Sequence, residues 1–353
     1  MDNKNVRIKD IAIKAKVSTG TVDRVLHNRG RVSEKVRVRI LKIIEEMNYQ
    51  PNLMARALGS NRVYQFAALI PDHHYDSYWL APKSGIEKAE TELKQYGVKV
   101  TQFVFNPYDA GSFIQQAQAI SALSPDGILL SPIFYREVLP FFEGWKNNNI
   151  PFVLFNTQIA EFDPLSYIGQ DSYQSGYLAG KLIHYGQPEA GTILIAHIDE
   201  EISNAAHLMK KEQGLRNYFI QNSLPQYKIV KTELNIAKSS TFIKQMDEVV
   251  ETIPDLASVF VTTSKAHEIA KYLEQRFIKN VRIIGYDLLP QNIHFLNKNI
   301  INFLINQNPQ GQGYWGIYQL ADHLVFKKDV PMLKYLPLDI VTKENLNYFT
   351  GQQ

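Results

Sequence analysis

The chain contains no cysteine. That removes any disulfide framework, any thiolate nucleophile and any zinc site built on sulfur, so the signature of an oxidising compartment is missing and a reducing cytoplasm is the expected setting. Long apolar runs are missing as well. Stretches such as Gly127-Ile128-Leu129-Leu130 are far too short to span a bilayer, and the charged opening from Met1 to Asp10 has no apolar segment of signal-peptide length. Neither membrane spanning nor secretion is expected. Catalytic motifs are equally scarce: there is no G-x-S-x-G elbow and no G-x-x-x-x-G-K-[ST] phosphate loop, and no G-x-G-x-x-G is expected after a strand. No cofactor is implied.

What the chain does have is an uneven charge. The net value of +3 over 353 residues hides a first segment, residues 1–62, with 14 Lys and Arg against six acids. That segment is +8 and the remainder −5. A small cationic module ahead of a large, mildly anionic body suggests a head that binds a polyanion and a body with another task.

The head reads as three short helices. Ile8, Ile11, Ala12 and Ala15 follow the spacing of a one-sided helix, and Ser18 is a good N-cap for a second. In that second helix Val22, Val25 and Leu26 form the apolar stripe, and Asn28-Arg29-Gly30 supplies stop chemistry. Ser33 can cap a third, whose Val36, Ile40, Ile43, Ile44 and Met47 face inward while Lys35, Arg37, Arg39 and Lys42 stay in water. Two helices joined by a very short turn, the second opening on small polar residues, are the parts of a helix-turn-helix that enters a DNA major groove. A basic three-helix bundle that binds protein fits the same charge and periodicity.

The runs Ile8-Lys9-Asp10-Ile11-Ala12, Val17-Ser18-Thr19-Gly20-Thr21-Val22-Asp23-Arg24-Val25-Leu26, Val32-Ser33, Asn48-Tyr49 and Pro51-Asn52 resemble the headpiece of the lactose-repressor (LacI/GalR) family of bacterial transcription regulators. The resemblance implies that Thr19, Gly20 and Arg24 occupy base-reading positions, with Ser18 and Thr21 on phosphates. Two residues depart from the family pattern. Lys16 stands where a small residue, often Gly, is common, and Asp23 where Ser is usual. Asp23 either accepts from a cytosine amino group, pairs within the headpiece, or is held clear of the phosphates. The short segment from Asn52 to Leu58 resembles the family's hinge helix, which places Asn52, Arg56 and Leu58 at the DNA, Leu58 as the wedge between base pairs. A linker helix with Leu58 packed on the body is the plainer alternative.

From Tyr64 onward, strand-like and helix-like segments alternate. Gln65–Ile70, Lys99–Phe105, Gly127–Pro132 and Pro151–Asn156 read as strands with helical stretches between them, and Thr192–Ile198, Lys228–Leu234, Ser258–Thr263 and Arg282–Tyr286 form a second such series. Two series imply two parallel α/β lobes, with ligands at the carboxyl ends of the strands. The same family resemblance covers this body, which looks like a periplasmic sugar-binding protein fused to the headpiece. It implies a headpiece over 1–50, a hinge over 51–63 and a two-lobed body over 64–345. The first lobe is expected at about 64–158 and 288–317, the second at about 159–287 and 318–345.

A pyranose or related polyol offers flat C–H faces and a rim of hydroxyls, calling for aromatic walls and fixed carboxylates, amides and cations. The candidates after strands are Asp76, Tyr78, Trp79, Tyr135, Asn156, Asn204, Lys211, Asp287 and Gln307. Asp287 and Gln307 fit the sugar-binding pattern best. Tyr78 and Trp79 are also ordinary lobe packing, and Asp171 an ordinary helix cap. His73-His74, flanked by Asp72 and Asp76, is read as no metal site, because sequential side chains diverge in extended backbone. The expectation is a cytoplasmic, homodimeric regulator, a repressor of a double-stranded DNA operator, controlled by a small ligand of carbohydrate type. The alternatives are a sugar-binding protein or a carbohydrate-acting enzyme without gene regulation.

Overall fold

Helical spacing in the basic segment resolves into α1 (Ile8–Ala15), α2 (Thr19–Leu26) and α3 (Glu34–Glu46). They bury Ile11, Ala12, Ala15, Val22, Val25, Ile40 and Ile43 against one another. Lys16 ends α1 in the left-handed region at φ 53°, ψ 49°, and the N–H groups of Lys16 and Val17 turn back to the carbonyls of Ile13 and Ala12. A Cβ in that conformation costs about 1–2 kcal/mol, which is why a residue without one suits the position. A further short helix, α4 (Leu53–Leu58), follows. The computed structural model describes residues 6–351 except 27, 48, 50–52, 59–61, 160, 187–189, 200–205 and 237–238. It divides the chain into two units, one ending at Gly59 and one starting at Ser60.

The second unit alternates strands and helices: β1 (Tyr64–Pro71), α5 (Leu80–Leu93), β2 (Val98–Phe105), α6 (Ala110–Leu123), β3 (Gly127–Leu130), α7 (Tyr135–Asn147), β4 (Phe152–Phe155) and β5 (Ser166–Gly169). Then come α8 (Ser172–Gly186), β6 (Thr192–Ile198), α9 (Ala206–Gln221), β7 (Lys228–Leu234), α10 (Ser239–Thr252), β8 (Leu256–Val261), α11 (Ala266–Gln275), β9 (Arg282–Tyr286), α12 (Pro290–Asn297) and β10 (Ile301–Asn306). The chain closes with α13 (Pro309–Leu324), β11 (Leu333–Tyr335), β12 (Asp339–Val341) and α14 (Asn347–Thr350). One sheet has the order β11-β5-β4-β3-β1-β2 and the other β12-β10-β9-β8-β6-β7. All pairings are parallel except β10 with β12. Strands such as β3, β4 and β6 are buried along their whole length, as expected for sheets covered by helices on both faces. Among the described residues, no helix is long and apolar enough to cross a membrane.

The lobe limits differ from the expected ones. β5 and β11 lie in the first sheet, whereas β10 pairs with β9 in the second and β12 joins it there. The segment 288–306 therefore completes the second lobe, not the first. α13 and β11 return to the first lobe before β12 leaves it again. An apolar six-residue strand suits either sheet, and its choice of neighbour is a non-local pairing that periodicity does not carry. A second expectation also fails. Gly311-Gln312-Gly313-Tyr314-Trp315-Gly316 does spell G-x-G-x-x-G after a strand, but it lies inside α13 as helix packing.

Two helix pairs, one per lobe, cross through reciprocal glycines. A Cβ on Gly176 of α8 would strike the carbonyl of Lys211 on α9, and one on Gly214 of α9 would strike that of Tyr173 on α8. Gly85 of α5 and Gly313 of α13 do the same through the carbonyls of Gln310 and Pro82. These contacts set how closely the two helices of each pair approach, and in the second lobe they lie at the turn of α9 that carries Lys211. Gly214→Ala is expected to destabilise the body by about 2–3 kcal/mol through overpacking. By contrast Gly144→Ala in α7, where nothing lies within 4 Å of the added carbon, is expected to stabilise by about 0.5–1 kcal/mol. Urea unfolding of the two variants reads both.

Candidate functional site

In the first unit the start of α2 is held by Ser18, whose Oγ accepts from the Thr21 N–H at 3.2 Å and lies 2.9 Å from the Thr21 hydroxyl. Of the two hydroxyls expected at phosphates, that of Ser18 thus also caps the helix, and that of Thr21 bonds to it. Val22 and Val25 point into the bundle, which leaves Thr19, Gly20 and Arg24 exposed on the outer side. The Arg24 stem passes beside Gly30, and Arg24, Arg29, Arg31 and Arg37 line one shallow depression with Ser33. Asp23 is half-buried, and after burial itself it is the charge that raises the Tyr49 phenol pKa. Asn52 lies outside the described residues, as does the Arg56 side chain, while Leu58 on α4 is 52% exposed.

In the second unit the carboxyl ends of both sheets face one cleft, partly open to solvent. The first lobe contributes Asp76, Tyr78 and Trp79 after β1, Tyr108 after β2, Phe134 after β3 and Asn156 after β4. The second contributes Asp199 after β6, His207 and Lys211 from α9, Thr262 to Lys265 after β8, and Gln307 after β10. Tyr78 stands edge-on to Trp79, and its phenol oxygen accepts from the Asn156 amide at 2.9 Å. Asp76 accepts from the Tyr78 N–H at 3.0 Å, which fixes the turn presenting both rings. Asn156 itself has φ 65°, a left-handed turn that short polar side chains tolerate.

Of the effector candidates, Asp76, Tyr78, Trp79, Asn156, Lys211 and Gln307 come together in this cleft. Asn204 lies outside the described residues. Tyr135 is not on the wall: it opens α7 and packs on the first-lobe core, and its neighbours Ile133 and Phe134 face the cleft instead. Asp287 stands behind the wall, 1% exposed, with one carboxylate oxygen accepting from the Ser264 hydroxyl and the Gln307 amide, both at 2.6 Å. Asp171 accepts from the Gln174 N–H as a helix cap, and Arg136 is exposed. The reasoning against a metal at Asp72, His73 and His74 also needs correction. The backbone there turns, and one ligand atom of each lies within 4.8 Å of the others. Tyr108, Asp199 and Lys265 went unread, although each follows a strand, the signal that picked out the others.

Two family profiles match the chain: bacterial regulatory proteins of the lacI family over residues 7–52, and a periplasmic binding protein domain over residues 67–328. A solved structure described as a LacI transcriptional regulator from Bacteroides fragilis is 31% identical, with a TM-score of 0.75, covering 81% of this chain and 99% of that one. This chain belongs to the LacI family. It is a DNA-binding transcription regulator with a sugar-binding-type effector domain. Among its relatives, the ribose operon repressor of Halalkalibacterium halodurans is 26% identical over 284 residues, 80% of each chain. The structure of GanP, a glucose-galactose binding protein from Geobacillus stearothermophilus, is similar at 25% identity and a TM-score of 0.72, covering 81% of this chain and 99% of that one.

The regulator's cleft is bridged by its own side chains. Lys265 Nζ lies 2.9 Å from the Asp199 carboxylate in its own lobe and 3.0 Å from the Tyr108 hydroxyl of the other. Burial alone lowers the Lys265 pKa, but Tyr108 and Asp199 outweigh it and the net shift is upward, so the ammonium stays charged. Nearby, the Thr157 hydroxyl meets a His207 ring nitrogen at 3.4 Å, again between lobes. Removing one hydroxyl bond to a cation should cost closure about 1–2 kcal/mol. Tyr108→Phe is therefore expected to lengthen the interlobe distance between spin labels on introduced cysteines, one per lobe.

Asp287 provides a pH signature. Burial raises its pKa to about 6, only partly offset by Ser264, Gln307 and Lys211. A carboxyl with a raised folded pKa holds its proton in the native state while the unfolded chain releases it. Its stabilising share is therefore complete below about pH 4 and lost as pH rises through about 6. Asp287→Asn is expected to remove that dependence. The stability difference between wild type and variant, measured from pH 4 to 7.5, should slope across that window; a flat difference would contradict it.

Proposed function

We propose that this regulator acts in the cytoplasm as a homodimeric repressor, gripping a pseudo-palindromic operator with two headpieces. A sugar or sugar derivative in the cleft alters that grip. The observation carrying the ligand reading is the cleft wall itself. Aromatic side chains of Tyr78, Trp79 and Phe134 share the lining with amide, hydroxyl and carboxylate groups from Asn156, Gln307, Ser264 and Asp199. Such a wall suits a molecule with apolar C–H faces and hydroxyl edges. The names of the ribose operon repressor and the glucose-galactose binding protein support the same class.

Control by the ligand is linkage. Its groups come from both lobes, so a ligand touching both favours one lobe arrangement, and it changes DNA affinity by no more than its differential affinity for the two arrangements. Regulation is favoured over catalysis because the matched relatives are transcriptional regulators. A sugar-binding protein without regulatory function would leave the +8 segment, residues 1–62, without a role.

Thermal melting of the full chain against a panel of pentoses, hexoses and their derivatives tests the ligand reading, since binding raises apparent stability by mass action. A ligand that raises melting should also change operator affinity in a mobility-shift assay. For the DNA side, Arg24→Ala is expected to weaken specific binding by about 1–3 kcal/mol while leaving random-sequence binding nearly unchanged. Equal losses on both DNAs would move Arg24 from base reading to phosphate contact.

A further inference from the structure

We infer that the cleft takes an uncharged ligand and excludes phosphorylated or acidic sugars; this rests on the reading of the cleft as the effector site. Each cation on the wall already has an internal partner. Lys265 is paired with Asp199, and the two side chains are only 13% and 11% exposed. Lys211 is buried, donates to the Thr262 carbonyl at 2.8 Å, lies 3.6 Å over the Tyr286 ring, and acts on the carboxylate of Asp287. His207 meets Thr157. Among the described residues, the lining includes no arginine, the side chain whose planar fork suits phosphate and carboxylate best.

Helix N-termini are the other common anion receptor, and several of those described at the carboxyl ends of the strands already hold a side-chain acceptor, α7 and α12 being without one. One N–H in the first turn of each of α6, α8 and α13, that of Gly111, Gln174 and Gly311, goes to Asp109, Asp171 and Asn308 at 2.9, 3.0 and 2.9 Å. The N–H of His267 near the start of α11 goes to Asn292 at 2.9 Å. The turn before α5 uses Asp76. α7 starts without a side-chain cap but presents Phe134 to the cleft. Among the described residues, then, an anion reaching Lys265 or a capped helix start would have to split the Lys265–Asp199 pair or displace a side-chain acceptor. Splitting it leaves a mostly buried Asp199 uncompensated. A polyol only exchanges neutral hydrogen bonds.

The test is thermal melting of the full chain in inorganic phosphate against chloride at matched ionic strength. It compares wild type, Lys265→Ala and Asp199→Asn. Phosphate held by the basic headpiece affects all three alike, so the cleft is read from their differences. The expected result is the same phosphate effect in wild type and Lys265→Ala, and an added upward shift in Asp199→Asn, where the lysine has lost its counter-charge. A phosphate shift present in wild type and lost in Lys265→Ala overturns the inference. In matched sugar pairs, the neutral member is expected to bind at least about tenfold more tightly than its phosphate or uronic acid. Tighter binding of the charged member also overturns it. If no member of any pair changes the melting temperature, the carbohydrate reading fails, and the phosphate comparison still decides the charge of the site.

Discussion

Where the chain leaves the second lobe, one amide faces two ways. Gln307 donates to the Asp287 carboxylate and accepts from the Gln170 amide, just beyond β5 on the first passage between lobes. All three side chains are buried. Two of the three passages are thereby tied to one carboxylate, and the seam is extended on both sides. Tyr167 donates to the carbonyls of Gln170 and Asn156, and Asn292 donates to the carbonyls of Ser264, Tyr286 and Asp287. A buried polar seam of this kind resists gradual sliding, because each partner lost leaves a group unsatisfied at about 1–3 kcal/mol. Relative motion of the lobes that breaks these bonds carries that cost.

Around the seam the two lobes solve the same problem in the same way. Each sheet runs in the order of a doubly wound fold, with β1 and β6 each one place in from an edge, and each lays its strand ends on the cleft. Each also sets a helix pair with reciprocal glycines. They differ in charge. The second lobe's wall is stiffened from behind by His197, whose ring nitrogens reach Thr262 at 2.8 Å and Glu212 at 3.3 Å, with Arg216 and Lys231 beyond. Burial lowers the His197 pKa and favours the neutral ring. Aromatic surface comes mainly from the first lobe, and the ionic groups mainly from the second.

The headpiece was legible because its structure is local. Helical spacing at Ile11, Ala12, Ala15, Val22 and Val25, a serine before each of two helices and a clustered charge are all contained within fifty residues. In the body, the strands and the positions after them were legible, and six of the nine effector candidates share the cleft for that reason. Partner choice was not. β10 reads as an apolar strand whichever sheet it joins, and β5, β11 and β12 are three or four residues long, too short to show a period. Nor does a loop position reveal which side of a one-residue step faces the ligand, hence Phe134 in place of Tyr135. Asp287 fits the sugar-binding pattern, yet its left-handed backbone at φ 64° and its bonds to Ser264 and Gln307 set it behind the wall.

Closure of the cleft has two contributors, and their balance limits the regulation. The Tyr108–Lys265 and Thr157–His207 contacts are made by the protein's own side chains and favour the closed arrangement whatever occupies the cleft. A ligand adds only its own contacts to that bias. If the side-chain contacts already held the lobes shut most of the time, a ligand preferring the closed state would have little population left to shift, however tightly it bound. Effective control therefore requires the bias to stay small. Hydrogen bonds of about 1–2 kcal/mol between partly solvated groups meet that requirement better than a buried ion pair across the gap would. Placing the full charge pair, Lys265 with Asp199, inside one lobe and only a phenol on the other keeps the latch weak enough for a neutral ligand to decide the outcome.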